Sequence, residues 1–533
     1  MDNICFFSSE QLQVYGDLQR RLNLNFARLE SRHYRPEHIF GADKSGWPGD
    51  WEGRTILALV KLKDAAKREP AYLRDILRIL PGKLNSNGYL GEIHGVDSET
   101  GLPIFNEQQL SGHNWLLRGL LEYYLLSGDA DIKNIAVNIV NNLYLPLLGH
   151  YKDYPLSPAE RNSVKGRYDG NICGKVRNWL ISTDIGCAFM CLDALSQAYE
   201  VLQIPSCKIL VDEMLSVFAN IDFVGCAMQT HATLSATRGV LRMYSVTKKV
   251  EYLEAAVKIF DIYVNNGITE NYANFNWFSR SDSWTEPCAI VDSWICAFEL
   301  FKFTDNYFYI SLANKIYRNA LCYAERVNGG FGCDKCVTPS QKFLMPNGGA
   351  NLTEAFWCCT MRGAEGLASI VKNIAHYTSD EDGMPKRIYI NMLESIDICC
   401  DYFNLSLVPD INGFKLTFFN KTGKRIYIYA YDPYNNEHLR MCGELGICIW
   451  EHKYTCVPVF DGGKFMLGDC ILGVRNVNPD VVIAPAKVEN LVRISGNSFK
   501  DSKTGLVYEP LCSMTDVEAD ELDGERRQII FID

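Results

Sequence analysis

No stretch of this chain approaches the roughly 20 apolar residues that a membrane-spanning helix needs, so no membrane is expected as a partner. The N-terminus, Met1-Asp-Asn-Ile-Cys-Phe-Phe, lacks a basic segment followed by a long apolar one, and a secretory signal is not expected. Positive charge is in deficit: 53 Lys and Arg face 64 Asp and Glu, a formal net charge of −11. That balance argues against nucleic acid as a partner. A phosphate-binding glycine loop, a dinucleotide fingerprint and a Ser-His-Asp elbow are all missing. So is a low-complexity linker, which favours domains packed closely on one another.

Cysteine, by contrast, is plentiful. The chain has 533 residues and 20 cysteines, with 47% apolar and 22% charged residues. The length exceeds one ordinary core and implies at least two domains in a globular protein. Many cysteines, such as Cys187, Cys191 and Cys296, fall inside apolar helical runs. Without an export signal they read as small buried residues in a reducing compartment, and a cytoplasmic protein is expected.

From about residue 55 to 372 apolar residues recur at helical spacing, as in 115–126, 181–202, 231–244, 289–303 and 308–323. Short polar turns interrupt them: Ser127-Gly128-Asp129, Thr247-Lys248-Lys249 and Thr304-Asp305-Asn306. So many consecutive helical hairpins must bury their faces on each other, in a closed α/α toroid or an open solenoid. After about Asp382 the pattern becomes strand-like: Arg387-Ile-Tyr-Ile-Asn-Met, Phe414-Lys-Leu-Thr-Phe-Phe and Arg425-Ile-Tyr-Ile-Tyr-Ala. Turn signals such as Asn412-Gly413 and Gly462-Gly463 punctuate it, and the last strand candidate begins at Gln528. The expected fold is mainly α with a β domain: an (α/α)6 toroid over residues 1–382, then an antiparallel β-sandwich over 383–533.

The chemistry concentrates in a few short motifs. Glu286-Pro287-Cys288 and the adjacent Cys358 and Cys359 offer a carboxylate and three thiols, enough for a tetrahedral zinc site. A further carboxylate, Glu270, lies a short way upstream. Cys333-Asp334-Lys335-Cys336 is a rival partner for the vicinal pair, with the commoner zinc spacing. Spacing alone leaves Glu286/Cys288 and Cys333/Cys336 both open, and plain core cysteines as a third reading. Cys399-Cys400 lies in a strand-like run and reads as packing. Trp277, Trp284 and Trp357 flank the motifs, and the Trp47–Trp51 loop could rim a pocket.

At these motifs the chain resembles glycoside hydrolase family 127, the β-L-arabinofuranosidases. The resemblance implies a helical toroid followed by a β-sandwich, with Zn2+ bound by Glu286, Cys288, Cys358 and Cys359. It implies Cys358 as nucleophile and Glu270 as acid/base. Family sugar-binding histidines are matched by His113 in Ser111-Gly112-His113 and His231 in Gln229-Thr230-His231. Each is read as beginning an amphipathic helix, where capping or packing is the alternative role. Where the family carries a third histidine, this chain has Thr183-Asp184. Thr360-Met361-Arg362-Gly363 departs from the family's continuation, and the C-terminal part leaves room for about one sandwich.

The resulting expectation is a retaining glycoside hydrolase acting on a small oligosaccharide or glycoconjugate. Its sugar would be a β-L-arabinofuranoside or a related uncommon pentose or deoxy sugar. The alternatives are a non-catalytic carbohydrate-binding or scaffold protein with structural zinc, and a lyase or epimerase using a Tyr/His pair. A homodimer is the assembly considered beside the monomer.

Overall fold

The computed structural model describes residues 3–41, 46–161, 170–347, 354–381, 383–410, 412–475, 486–514 and 527–529. Twelve helices build its larger part: α1 Gly16–Leu29, α2 Asp50–Ala66, α3 Leu73–Ile79, α4 Glu107–Ser127, α5 Ala130–Ile139 and α6 Cys191–Leu202, then α7 Pro205–Phe218, α8 Thr230–Thr247, α9 Val250–Asn266, α10 Pro287–Thr304, α11 Tyr307–Ile316 and α12 Cys359–Asn373. The even-numbered helices form a closed ring. Helix α2 packs on α4, α4 on α6, α6 on α8, α8 on α10, α10 on α12, and α12 returns to α2. The odd-numbered helices lie outside, α3, α5, α7, α9 and α11 each on the helix before it, and α1 against α12 and α2. This is an α/α toroid, and the open solenoid is not formed.

The turns read from the sequence join the hairpins as their chemistry requires. Helices α4, α8 and α10 end at Gly128, Lys248 and Asp305, all left-handed, with φ of 71°, 57° and 54°. That conformation closes the last turn and reverses the chain. In two of the three an Asx cap starts the next helix: Asp129 accepts from the Asp131 and Ile132 N–H groups, and Asn306 from that of Phe308. Glycines set the closest helix crossings. A Cβ on Gly53 would lie 2.0 Å from the Leu116 nitrogen, and one on Gly112 2.2 Å from the Pro48 carbonyl oxygen. Helices α2 and α4 touch backbone to backbone there, which draws the start of α2 into the ring.

The helical run ends at Asn373, and the strands that follow it begin at Ala375; residue 382 lies outside the described residues. Among the described residues one sheet takes the order Asn3–Phe6, Ala375–Ser379, Pro385–Ile390, Ile426–Asp432, Glu437–Gly443. A second takes the order Gly446–Lys453, Gly413–Asn420, Phe403–Asp410, Ile396–Cys399, Leu12–Val14. The head of the chain thus supplies an edge strand to each sheet. Ile388, Ile390, Ile426 and Ile428 of the first sheet share a core with Leu405, Leu407, Leu416 and Phe418 of the second. Gly443 leaves space for the Phe418 ring, which a Cβ would approach to 2.3 Å. A further sheet follows, containing Lys464–Leu467 and Cys470–Arg475, with Arg527–Ile529 paired to the latter. The expected last strand is described only over 527–529. The β part docks on the toroid through hydrogen bonds such as Asn314 Nδ2 to the Asn391 carbonyl, 3.1 Å, and Asn319 Nδ2 to that of Asp469, 2.8 Å. Among the described residues no helix is long and apolar enough to cross a membrane.

Candidate active site

The N-terminal turns of the inner helices converge on one cavity of about 360 Å³. Its lining draws Asp50 and Arg54 from α2, Ser111 from α4, Met190 from the cap of α6, His231 from α8, Glu286 from the cap of α10, and Cys358 and Cys359 from the start of α12. Six helix N-termini present partial positive charge to this space, which favours anionic ligands and ionised side chains.

Two neighbouring helix starts bring the sulfur ligands together. Glu286 is the N-cap of α10, Pro287 takes the first helical position and Cys288 follows. Cys358 is the N-cap of α12 and Cys359 its first residue. Neither N-cap side chain caps its own helix; both turn into the site instead. One ligand atom from each of Glu286, Cys288, Cys358 and Cys359 lies within 4.8 Å of all the others. The Cys358 and Cys359 sulfurs are 3.4 Å apart, and those of Cys288 and Cys359 3.7 Å. Cys358 is partly exposed, while the other three are buried.

This donor set fits a metal ion. Glu286 Oε2 is buried, and among the described residues no group hydrogen-bonds it. Burial, with the charge of Asp184 behind it, pushes the Glu286 carboxyl up to about 8 against the pull of Arg54. Burial also pushes the Cys288 and Cys359 thiols well above their usual range. At Cys358 a hydrogen bond with Cys288 lowers the value, but the contact with Cys359 and burial outweigh it. Four donors kept neutral in a dry cluster are what a dication would ionise on binding. The rival Cys333/Cys336 pair does not form the cluster. Cys333 lines the cavity, but the Cys336 sulfur lies 3.8 Å from Ser283 Oγ and 3.8 Å from the Asn274 carbonyl oxygen.

Arg54 is the site's main cation, and the motif reading missed it. Its Nε lies 2.9 Å from both Asp50 oxygens, its Nη1 3.5 Å from the Cys288 sulfur and its Nη2 3.4 Å from His231 Nε2. The i,i+4 spacing from Asp50 was a legible helical pair; its direction into the ring was not. Trp115 lies between two guanidinium groups, Arg54 at 4.2 Å and Arg362 at 4.4 Å from its ring centroid. His231 lines the cavity and donates from Nδ1 to Asp292, 2.9 Å. Burial pushes its pKa down to about 4 despite Asp292, so the ring is neutral at pH 7 with its Nε2 lone pair toward Arg54. Trp47, Trp284 and Trp357 also line the cavity, whereas Trp277 is core.

Two expected residues are placed elsewhere. His113 sits two turns inside α4 and is fully buried. It donates from Nδ1 to the Gln109 carbonyl, 2.8 Å, and accepts the Leu90 N–H at Nε2, 2.9 Å. Both ring nitrogens are committed to the backbone, an arrangement that suits a structural role. Glu270 does not line the cavity. It sits on a tight loop, closed by the Ile268–Asn274 bridge, and its carboxylate pairs with Lys464 of the β part.

The His113 assignment has a pH signature. Burial pushes its pKa down to about 4, against ~6.5 in the unfolded chain. Between those values the unfolded state binds the extra proton, so the folded state loses stability as pH falls from 6.5 toward 4. His113→Gln is expected to cost about 1–3 kcal/mol at pH 7 through the orphaned Leu90 N–H or Gln109 carbonyl. It should also flatten the decline between pH 6.5 and 4, with KM unchanged. Denaturant titrations at pH 7 and pH 5 beside sugar kinetics check this; a raised KM at unchanged stability would restore the sugar contact.

No family model matches the sequence, and no curated protein matches it. Solved structures do. A family 127 β-arabinofuranosidase aligns with a TM-score of 0.65 at 12% identity, over 99% of this chain and 98% of its own. The fold is that of the family 127 glycoside hydrolases. A second structure described as a glycoside hydrolase gives 0.63 at 10% identity, over 99% and 97%. A family 127 β-L-arabinofuranosidase from Geobacillus stearothermophilus T6 gives 0.60 at 11% identity, over 98% and 99%. The likeness runs through both the toroid and the β part.

Proposed function

We propose that this chain is a retaining glycoside hydrolase with Cys358 as nucleophile, acting on short oligosaccharides or glycoconjugates that carry β-L-arabinofuranose or a related uncommon sugar. One observation carries the reading. The single partly exposed member of a four-donor metal cluster is a thiol, and it faces a sugar-sized cavity at the mouth of the ring. A purely structural site has no need of such a thiol. The donor set of three thiols and one carboxylate suits Zn2+ held by Glu286, Cys288, Cys358 and Cys359. Zinc bound there would keep the thiols ionised at neutral pH. Reduced thiols at the site also suit the cytoplasm.

The chain's own groups would divide the work. Cys358 sulfur attacks the anomeric carbon; the S–C bond forms as the glycosidic C–O bond breaks, and a carboxylic acid protonates the departing oxygen. Water then attacks the same carbon, giving a proton to the carboxylate left by the first step, as the C–S bond breaks and Cys358 leaves as thiolate. Two displacements give net retention. Arg54 and neutral His231 stand beside the thiols, where they can hold sugar hydroxyls. Trp47, Trp284 and Trp357 wall the cavity, and apolar faces of a sugar stack on such rings.

The test combines metal analysis with a panel of 4-nitrophenyl glycosides that includes furanosides. One zinc per chain and hydrolysis with retained anomeric configuration are expected. Full metal loading with no hydrolysis would favour the binding-protein alternative, and inversion would remove Cys358 as nucleophile.

A further inference from the structure

We propose that Cys470 and Cys512 are a peroxide-responsive thiol–disulfide pair whose closure locks the last sheet of the β part beside its seam with the toroid. The two sulfurs lie 3.7 Å apart, across 42 residues of sequence. They face each other at the end of one antiparallel ladder. Leu472 pairs with Pro510 and Gly473 with Glu509, and the same register carried two residues further sets Cys470 opposite Cys512. Cα atoms that face each other across such a ladder are about 4.5–5.5 Å apart, within the range of about 4.4–6.8 Å that a disulfide bridges. Neither thiol lines the cavity at the mouth of the ring.

Both backbones are held by the toroid. Asn319, just past the end of α11, donates from Nδ2 to the Asp469 carbonyl, 2.8 Å, and accepts the Ile471 N–H at Oδ1, 2.7 Å, so it grips Cys470 from either side. Arg21 of α1 donates from Nη2 to the Cys512 carbonyl, 2.9 Å, and from Nη1 to that of Cys322, 3.1 Å. Closing the pair therefore needs side-chain rotation and little else. The thiols are also within reach of a small oxidant. Both line a second cavity, of about 200 Å³, walled as well by Arg318, Tyr431, Tyr434 and Asp469. A water molecule takes ~30 Å³, so hydrogen peroxide fits that space. The two thiols are unequal. Their mutual hydrogen bond, with the charges of Arg318 and Arg21, holds Cys512 down to about 7 against burial. The same bond and burial push Cys470 well above the usual thiol range. Cys512 is thus the attacking thiolate and Cys470 the resolving thiol.

Cys512 sulfur attacks one peroxide oxygen. The O–O bond breaks, the S–O bond of a sulfenic acid forms, and the released hydroxide leaves as water with the proton the thiol has lost. Cys470 sulfur then attacks the Cys512 sulfur. The S–O bond breaks, the S–S bond forms, and hydroxide leaves as water with the Cys470 proton. Two electrons pass from the thiols to peroxide, and a small thiol returns them by exchange. The closed bond encircles the strands Leu491–Ser495, Ser498–Asp501 and Val507–Pro510. Constraining that loop restricts the unfolded chain and so stabilises the sheet.

The experiment treats the zinc-loaded chain with hydrogen peroxide, alkylates the remaining thiols and maps the peptides by mass spectrometry. A Cys470–Cys512 cross-linked peptide is expected, lighter by two hydrogens than its separate halves and lost on treatment with dithiothreitol. The oxidised wild type should melt at least about 4 °C above the reduced one, a gain absent from Cys470→Ser and Cys512→Ser. Cys470→Ser should hold Cys512 as a sulfenic acid that a dimedone probe labels, while Cys512→Ser leaves Cys470 unlabelled. The wild-type peptide map answers even where a variant fails to fold. Both cysteines alkylated after peroxide would overturn the proposal. So would a bond from either one to a different thiol, or Cys512 driven to sulfinic acid beside a free Cys470. A mapped Cys470–Cys512 bond with no gain in melting temperature would overturn the lock. None of these readouts uses sugar hydrolysis, so the glycosidase reading stands or falls separately.

Discussion

Cys358→Ser should abolish turnover, by about 10⁴-fold or more, while the toroid stays folded and most of the metal stays bound. Cys358 is the partly exposed member of the cluster, and Glu286, Cys288 and Cys359 remain to hold an ion. The serine hydroxyl is a far poorer nucleophile than a thiolate and is not ionised at neutral pH. Cys359→Ser should behave differently. Cys359 is buried at the first turn of α12, within 3.7 Å of the Cys288 sulfur, so its loss should lower metal occupancy and thermal stability together. Metal content, melting temperature and kcat for both variants distinguish these roles. A covalent sugar probe should label Cys358 alone, and mass spectrometry locating it on Cys359 or Glu286 would overturn the assignment. Equal metal loss in both variants with equal residual activity would make Cys358 a ligand and nothing more.

The parts of this site that were legible in the sequence are local ones. Glu286 and Cys288 fall at the start of one helix, Cys358 and Cys359 at the start of another, so each pair could be recognised from spacing. That the two helix starts are neighbours is a property of the tertiary packing of α10 on α12, and the Cys336 sulfur lies by Ser283 and Asn274 instead. The three helical turns were likewise local, fixed by one left-handed residue and the next helix start. Long-range pairing was not legible. Asn3–Phe6 and Leu12–Val14 find partner strands beyond residue 370, and nothing within either segment points there. The placement of Glu270 was not legible for the same reason. Its register to Glu286 suggested a shared site, but the intervening chain folds back on itself, and the partner Lys464 comes from the β part. The placement of His113 is set by helical register: α4 begins at Glu107, which puts the imidazole against backbone within the ring wall.

The second large effect is expected at Asp292, which touches no substrate. Asp292 on α10 is fully buried and accepts from His231 Nδ1 at 2.9 Å, Ser235 Oγ at 2.6 Å and Arg238 Nη1 at 2.5 Å, and also from Arg362. It is one node of a buried network that continues through Glu365 to Arg118 and Asp193. Burial alone would raise its pKa, but Arg362 and Arg238 hold it well below the usual carboxylate range. Its contribution is therefore complete above the unfolded value of ~3.9 and is lost only as pH falls through the lower folded value. Asp292→Ala removes the charge at every pH. Two buried guanidinium groups, Arg238 and Arg362, are then left to share Glu365, with Asp193 beside Arg238, and the His231 N–H loses its carboxylate acceptor, a loss of about 3–5 kcal/mol, a large fraction of a typical domain's stability. The loss should shrink when Arg362→Leu is added, because the second change removes one of the two guanidinium groups left competing for Glu365. Thermal and denaturant unfolding of both single variants and the double variant measure that coupling. A loss below about 1 kcal/mol, or strict additivity in the double variant, would mean that the network is not what holds His231 and the helix starts in place.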